Sequence, residues 1–352
     1  MRLSLHRDGR AMSGGMEASE AIPGPSVVFQ AFVGYQTTEA LRAAIDIDLF
    51  TAVGAGAATA KEIAARCDAS ERGVRILADF LVVHGLLTKD GGRYGLTPAA
   101  ATFLDPSSPA CIASAIHFVA SPFVMGNFAR LTAAVRKGGA AIGDEHLAPD
   151  HPMWVEFARS MAPLASLMAE LLANLLEAAA APPWKVLDIA AGHGLFGIAL
   201  ARHNPKAEIV ALDWKNVLAV AEENARAAGV ADRFRTLPGS AFEVDYGAGY
   251  DLVLLTNILH HFDPAGCETL LRKVHRALAP GGRAVTVEMV PDESRVAPPD
   301  AAAFALVMLA GTPAGDAYTF AEYERMFRNA GFARSELHDL VPSPQRAVIS
   351  YR

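Results

Sequence analysis

The chain has 352 residues, a hydrophobic content of 52% and a formal net charge of −7 at pH 7. This length and composition suit two domains with large buried surfaces, including one between subunits. No apolar run reaches the ~20 residues that cross a bilayer, and Lys and Arg form no cluster of the kind that phosphate binding requires. We therefore expect a globular protein whose main partner is neither nucleic acid nor a membrane.

Three cysteines, Cys67, Cys111 and Cys267, are far apart in the sequence. Their number and spacing match neither a disulfide framework nor a zinc site, so we expect reduced thiols that are buried as small apolar groups. Reduced thiols suit a cytoplasmic protein. Residues 1–25 are rich in Gly, Ser and charged side chains, which predicts a mobile tail or an upstream start, with Met12 or Met16 as the alternative first residue.

The segment 26–110 predicts a small, mainly helical domain. Apolar residues recur at helical spacing from Val27 to Phe50, which indicates one or two amphipathic helices. Thr59 and Ser70 are the N-caps of two further short helices, and a Lys-Asp-Gly-Gly turn at 89–92 joins two short strands. Helix, turn, helix and hairpin in this order predict a winged helix.

A winged helix can read DNA or pack against another protein. Arg72 and Arg75 are balanced by Glu71 and Asp79 on the helix that would enter a groove. Specific DNA binding needs a stronger positive charge. The sequence therefore favours a packing module, with a transcriptional regulator as the alternative.

The segment Cys111 to Leu176 predicts helices that are rich in bulky apolar side chains, followed by a linker at 178–183. We expect most of these side chains in the core. They are Phe118, Phe123, Met125, Phe128, Trp154, Phe157, Met161 and Met168.

The stretch Lys185 to Asp213 predicts a strand, a glycine turn, a helix and a second strand. Such a unit binds nucleotides. Gly192, Gly194 and Gly197 have the GxGxxG spacing of dinucleotide enzymes, and Asp213 stands where a ribose-binding acid is expected. This spacing leaves a dehydrogenase possible.

Asp188 precedes the glycine turn and favours another cofactor. A carboxylate aimed at the crevice repels a pyrophosphate but attracts a ligand that carries an ammonium and a sulfonium. S-adenosylmethionine is such a ligand. The stretch Asp188 to Gly194 resembles motif I of class I methyltransferases, with Ala190 in place of its first glycine. Because alanine disfavours a positive φ, we expect Ala190 in an ordinary turn conformation.

Two further features extend this resemblance. The LxPGG turn at 278–282 is a second methyltransferase signature, and from about Val27 to the end the chain resembles plant-type small-molecule O-methyltransferases and their bacterial relatives. The resemblance implies an α/β fold with a Rossmann-like sheet, mostly parallel with a C-terminal antiparallel strand. It also implies that the winged helix over 26–110 serves dimerisation, that 111–180 covers the acceptor, and that 181–352 is the catalytic domain.

The apolar pattern predicts the remaining strands, and the resemblance implies which residues bind the cofactor. Further strands are predicted at 233–237, 250–255, 284–290, 335–341 and 345–351. The implied S-adenosylmethionine-binding residues are Asp188, Ala190, Gly192, Gly194, Asp213, Trp214, Gly239, Ser240, Ala241, Phe242 and Asn257. Ser240 stands where the family often has an acid that contacts the adenine.

The strand at 250–255 is followed by a segment that contains two histidines. Ligands of open parallel sheets bind at the carboxyl ends of the strands. Residues 259–262 resemble the LHDW motif of the family, whose histidine removes the acceptor proton; His260 matches that histidine, whereas His261 and Phe262 replace the acid and the tryptophan. Histidine, with a pKa of about 6.5, suits a phenol acceptor. A purely structural role of His260 in the turn is the alternative.

Glu288 aligns with one of two acids that orient the histidine in this family. The second aligns with Ala317, and Asp316 is one position off. We expect no metal, because His260, His261 and Asp263 are too close on one turn to converge on an ion. The segment 301–310 is apolar all round and predicts a buried helix, which by resemblance lines the acceptor pocket.

The sequence thus predicts a homodimeric methyltransferase. It would move the methyl group of S-adenosylmethionine to a hydroxyl of a small aromatic or hydrophobic acceptor. Methylation of carbon or nitrogen on the same fold is the alternative.

Overall fold

The computed structural model describes residues 25–141 and 151–352. All but the last residue of the predicted tail, 1–25, therefore lies outside the described residues. The N-terminal region is helical with one hairpin, as predicted. Its elements are α1 (Ser26–Asp46), α2 (Leu49–Gly54), α3 (Ala60–Arg66), α4 (Glu71–Val83), β1 (Leu87–Asp90), β2 (Arg93–Leu96) and α5 (Pro98–Phe103).

Local capping explains where the two helices of the predicted winged helix begin. The Thr59 side chain accepts from the Glu62 N–H, and the Glu62 side chain accepts from the Thr59 N–H, so that both donors are satisfied at the start of α3. Ser70 caps α4 in the same region. The two helices pack with the antiparallel hairpin around a common core, which includes Ile63 and Leu81.

A second group of helices connects this region to the sheet. These helices are α6 (Ala115–Val119), α7 (Pro122–Ala129), α8 (Leu131–Lys137) and α9 (Pro152–Leu175). A turn of 3-10 helix, Ala178–Ala180, lies inside the predicted linker. Within the described residues no single helix is long and apolar enough to cross a membrane, although one bent pair, 115–129 with 131–137, meets the length and composition test jointly.

The C-terminal region contains a seven-stranded sheet with the order β5-β4-β3-β6-β7-β9-β8. The strands β3 to β7 are parallel, and β9 is antiparallel to both β7 and β8. This topology confirms the predicted fold. The strands are β3 (Lys185–Ile189), β4 (Glu208–Asp213), β5 (Phe234–Pro238), β6 (Tyr250–Thr256), β7 (Leu278–Glu288), β8 (Arg334–Asp339) and β9 (Arg346–Tyr351).

Helices cover both faces of this sheet, which explains why its central strands are apolar throughout. The helices of the C-terminal region are α10 (Leu195–His203), α11 (Lys215–Ala227), α12 (Pro264–Ala277), α13 (Pro299–Gly311) and α14 (Phe320–Asn329), of which α13 packs on α7 and α8. One buried cluster joins α9 and α10 to the sheet, and the other joins α12 and α14 to its opposite face. Both clusters leave the carboxyl ends of the parallel strands on one edge.

The structure corrects several predictions about burial. Of the eight bulky side chains in 111–180 only Met168 is buried; it belongs to the cluster that joins α9 to the sheet, whereas the other seven belong to neither cluster. Among the cysteines only Cys267 is buried. The helix α13 packs against α7 and α8 and is partly exposed, with Leu306 43% accessible.

One strand boundary also differs from the prediction. β7 begins at Leu278 and ends at Glu288, whereas we predicted 284–290. Leu278 pairs with Tyr250 and Arg283 pairs with Leu252, so residues 279–282 form an irregularity inside the strand rather than a turn before it.

Candidate active site

The crevice at the carboxyl edge of the sheet begins with Asp188 on β3. Its side chain is fully buried, and its Oδ2 accepts from the Gly197 N–H at 3.2 Å. Its Oδ1 is buried and has no hydrogen-bond partner among the described residues. Burial, reinforced by the nearby Asp213, raises the pKa of Asp188 to about 7. A buried carboxylate of this kind is stabilised by a cationic ligand.

Our prediction for Ala190 is wrong, because its φ is +54°. Two tertiary hydrogen bonds of the following residues hold the turn: the Ala191 N–H donates to Leu212 O at 3.1 Å, and the Gly192 N–H donates to Asp213 Oδ2 at 2.8 Å. These bonds to β4 outweigh the cost of a left-handed alanine, which is about 1–2 kcal/mol.

The rest of the turn brings α10 very close to β3 and β4. A Cβ atom on Gly197 would lie 2.7 Å from Ile209 Cγ2 and 3.1 Å from Asp188 Oδ2. His193, which sequence reasoning did not single out, is buried in the turn and accepts from the Leu195 N–H at 3.2 Å. Burial lowers the pKa of His193 to about 4, so the turn adds no positive charge to the crevice.

Asp213 ends β4, next to the glycine turn. Its Oδ1 accepts from the Trp214 N–H at 2.7 Å, in addition to the bond from Gly192. Desolvation raises the pKa of Asp213 to about 6. The side chain stays half-buried, and each carboxylate oxygen can accept a second bond. Trp214 is half-buried and packs against α9 and α11.

The predicted adenine segment follows β5. The Gly239 N–H donates to Asp213 O at 2.9 Å, which fixes this segment beside β4. Ser240 uses its hydroxyl to accept from the Phe242 N–H at 3.2 Å, and the partly exposed Phe242 ring makes an edge contact with Phe262. The carbonyl of Ala241 accepts from Lys273 Nζ at 3.1 Å. The segment therefore offers an aromatic surface and backbone groups rather than an acid.

The last predicted cofactor residue, Asn257, follows β6 with a φ of +55°. Its N–H donates to Val287 O at 2.9 Å, and its Oδ1 accepts from Gln345 Nε2. Gln345 was predicted only as the first residue of a strand. The sequence showed only an amide side chain at the predicted start of the last strand, which does not by itself indicate a role at this edge.

The His260 imidazole and the Glu288 carboxylate form a buried pair. His260 lies in a turn of 3-10 helix after β6, and its Nδ1 is 2.5 Å from Glu288 Oε2. The other carboxylate oxygen accepts from the N–H groups of Ile258 and Leu259, both at 3.0 Å. Glu288 thus fixes both the ring and the backbone of this turn.

The segment after α13 packs behind the same turn. A Cβ atom on Gly315 would lie 2.1 Å from His260 O, and the Tyr318 hydroxyl donates to Phe262 O at 2.5 Å. Ala317 is buried where the family has its second acid. Asp316 instead pairs with Arg295 at 3.3 Å. Glu288 is therefore the acid that contacts His260.

A layer of half-buried aromatic side chains covers the histidines. The His260 ring is 4.9 Å from the Phe304 ring on α13 and 4.4 Å from the His261 ring. Trp154 on α9 makes an edge contact of 5.6 Å with His261 and a second contact with Phe157. Trp154 and Phe157, which we predicted in the core, therefore form with Phe304 an aromatic roof over the two histidines.

These features fit S-adenosylmethionine. Two carboxyl groups lie at the carboxyl ends of the paired strands β3 and β4: Asp188, whose buried Oδ1 has no partner among the described residues, and the half-buried Asp213. Their negative charge suits a cationic nucleoside. The close glycine turn lets backbone N–H groups approach it.

Comparison with protein families agrees with this description. Residues 129–333 match the model of the O-methyltransferase domain, and residues 29–106 match that of the O-methyltransferase dimerisation domain. The chain is 32% identical over 315 residues to 3-hydroxy-5-methyl-1-naphthoate 3-O-methyltransferase of Streptomyces sahachiroi, which covers 87% of this chain and 89% of the relative.

Solved structures show the same architecture. The crystal structure of a candidate O-methyltransferase from Nostoc punctiforme superimposes with a TM-score of 0.90 and a sequence identity of 51%. The match covers 94% of this chain and 100% of the Nostoc chain. Human N-acetylserotonin methyltransferase in complex with S-adenosylmethionine, at 21% identity and a TM-score of 0.81, shares the fold over 95% of this chain and 99% of its own. The chain therefore belongs to the S-adenosylmethionine-dependent O-methyltransferase family.

Proposed function

We propose that this enzyme methylates a hydroxyl of a small aromatic or hydrophobic acceptor, with His260 as the general base and Glu288 as the residue that orients it. The buried 2.5 Å contact between His260 and Glu288 carries the proposal. It lies at the carboxyl end of β6, next to the crevice that suits the cofactor.

The hydrogen bonds of Glu288 indicate which histidine nitrogen acts. Its Oε1 already accepts two backbone N–H groups, so we assign the proton of the remaining contact to His260 Nδ1. Nε2 then keeps a lone pair and takes the proton of the acceptor hydroxyl. The resulting imidazolium is stabilised by the Glu288 carboxylate, as in other histidine–carboxylate pairs.

When bound, S-adenosylmethionine would supply an electrophilic methyl group on a sulfonium. The cofactor residues proposed for this chain are those predicted from the sequence: Asp188, Ala190, Gly192, Gly194, Asp213, Trp214, Gly239, Ser240, Ala241, Phe242 and Asn257. Orientation of the acceptor oxygen, combined with removal of its proton, is the main contribution that the protein can make to this transfer.

The aromatic roof supports a flat acceptor. Phe304, Trp154 and Phe157 are half-buried and lie over the histidines, where an aromatic ring would find edge and face contacts. The relative from Streptomyces sahachiroi acts, by its name, on a hydroxynaphthoate. We further propose that the chain is a homodimer, since it carries the dimerisation domain.

Substitution of the pair tests the proposal. His260→Ala should lower turnover by roughly 10²–10⁴ and leave the affinity for S-adenosylhomocysteine nearly unchanged, because the ring serves the acceptor. Glu288→Gln should have the same effect to a smaller degree. The matched control is His203→Ala, which breaks a histidine–carboxylate pair with Glu170 at the end of α10.

The measurement is turnover with labelled cofactor against phenols, keto acids and amines. If His260→Ala keeps most of the activity, or loses cofactor binding together with folding, His260 is a structural residue of the turn. Methylation of nitrogen or of an activated carbon, which needs no base at this position, would then replace the proposed reaction.

A further inference from the structure

Gln345 is a buried polar residue of the catalytic edge. It precedes β9, and because β9 runs antiparallel to β7, the pairing of Arg346 with Glu288 places this end of β9 beside the orienting acid. The side chain is 6% exposed. Gln345 therefore lies in the fold where a ligand contact or a support for one is expected.

The contacts of Gln345 are not explained by stability alone. Its Nε2 donates to Asn257 Oδ1, and its N–H donates to Ser343 Oγ at 3.0 Å. Its Oε1, however, is buried without a hydrogen-bond partner in the part of the chain that the structure describes. An unsatisfied buried acceptor destabilises a fold, so an apolar side chain would serve packing better.

The bond from Gln345 determines which way the Asn257 amide faces. Asn257 has a left-handed backbone, which asparagine tolerates better than most residues. With Oδ1 engaged by Gln345, Nδ2 is the free end of the amide, and no residue described in the structure accepts from it. Asn257 is half-buried, so this NH₂ group is a donor that a ligand can reach.

The strand order indicates which part of the cofactor is near that donor. Asp213 and the segment 239–242 end β4 and β5, where we place the adenosine. β6 is separated from β4 only by β3, a distance of roughly 10 Å across two strand spacings. A cofactor that begins over β4 and β5 and extends toward His260 places its amino-acid end over β3 and β6.

We propose that Gln345 is a positioning residue of the cofactor site: it holds Asn257 so that Nδ2 donates to the α-carboxylate of the methionyl end of the cofactor. The loop between β8 and β9 thereby becomes part of that site. The inference rests on the cofactor placement proposed above. His260 and its pair with Glu288 are not involved.

The test compares two ligands on the full-length protein. S-adenosylhomocysteine has the amino-acid end, and 5′-deoxy-5′-methylthioadenosine lacks it. Gln345→Leu should weaken binding of the first by about tenfold and change binding of the second by less than about twofold in calorimetry. Asn257→Gly, which keeps the left-handed backbone but removes the amide, should give the same pattern.

Kinetics and a control on the same loop complete the experiment. The KM for S-adenosylmethionine should rise in Gln345→Leu while kcat at saturation stays near the native value. Val341→Ser, at an exposed position of the loop, should leave the affinity for both ligands unchanged.

An equal loss of both ligands in Gln345→Leu and Asn257→Gly, or no loss of either, would overturn the inference, because the pair would then be structural or uninvolved. If Gln345→Leu fails to fold, the result with Asn257→Gly decides. If the native protein binds S-adenosylhomocysteine no more tightly than 5′-deoxy-5′-methylthioadenosine, the amino-acid end of the cofactor makes no favourable contact. The proposed position of that end would then be wrong.

Discussion

Asp188 and Asp213 lie at the carboxyl ends of the neighbouring strands β3 and β4, but they differ in burial and in hydrogen bonding. Asp188 is sealed beneath α10 with one oxygen unpartnered, whereas Asp213 is half-buried and already accepts two backbone N–H groups. The first suits long-range attraction of a cation. The second can accept hydrogen bonds directly from ribose hydroxyls.

Asp213→Ala should therefore weaken S-adenosylmethionine binding at least tenfold, because paired charge-assisted bonds contribute roughly 2–4 kcal/mol in total. Calorimetry measures this change. Asp213→Glu keeps the charge and separates the loss of hydrogen-bond geometry from the loss of attraction. Unchanged affinity in Asp213→Ala, or tight NAD binding by the native protein, would contradict the assignment.

Asp188 should make the stability of the cofactor-free enzyme depend on pH. Burial raises its pKa from 3.8 to about 7. Between these values the folded protein binds a proton that the unfolded chain does not, so the free energy of unfolding falls as pH rises. The contribution of this residue is at most about 4 kcal/mol.

Asp188→Asn should lose this part of the pH dependence. Urea unfolding at pH 5 and at pH 8 should show a larger difference for the native protein than for Asp188→Asn. Asp213, whose pKa is raised to about 6, contributes in the same direction in both proteins. An identical difference in the two proteins would show that Asp188 is not the responsible group.

At the scale of elements, periodicity and caps predicted most of the fold. The capping box at Thr59 fixed the start of α3 within one residue, because it depends on adjacent side chains alone. The order of βα units predicted the parallel sheet, since buried parallel strands need apolar runs and helical crossovers.

The features that could not be predicted from the sequence depend on contacts between segments that are distant in the chain. Ala190 is left-handed because β4 binds the next two residues, and the aromatic side chains of the roof over the two histidines are half-buried. Gln345 reaches Asn257 across 88 positions. The pairing of His260 with Glu288 came from resemblance, and spacing alone does not predict it.

The segment between α13 and α14 should determine the position of the turn Leu259–His261, which carries the proposed base His260. Gly315 lies so close to His260 O that an added Cβ would be 2.1 Å away, and backbone cannot yield as a flexible side chain does. Gly315→Ala should therefore displace the turn and lower kcat by at least tenfold, with a smaller effect on cofactor affinity. Steady-state kinetics and calorimetry measure the two quantities.

Gly311→Ala is the matched control, because a Cβ there would meet only Asn127 Nδ2 at 3.6 Å. It should leave kcat unchanged. If both variants behave alike, the close contact behind His260 does not determine the position of the base.

At the scale of the whole molecule, α1 exposes several large apolar side chains to solvent. Phe29 and Phe32 are 61% and 69% exposed, and they make an edge contact with each other rather than with the core. A contiguous exposed apolar surface of this kind marks an interface with another protein. The match of residues 29–106 to the dimerisation domain makes a second copy of the chain the expected partner.

The native protein should therefore be a dimer in light scattering at micromolar concentration. Phe29→Ser combined with Phe32→Ser should shift it toward monomer. Both aromatic side chains are exposed in the single chain, so their burial would stabilise only the dimer, and the serine side chains lack that apolar surface. Val296→Ser, which removes a side chain that is 73% exposed on a distant loop, should leave the dimer intact. Removal of residues 1–110 should leave a poorly soluble catalytic region, since its own contacts with the N-terminal region would be exposed. A native protein that is monomeric at that concentration would show that α1 covers its apolar face in another way.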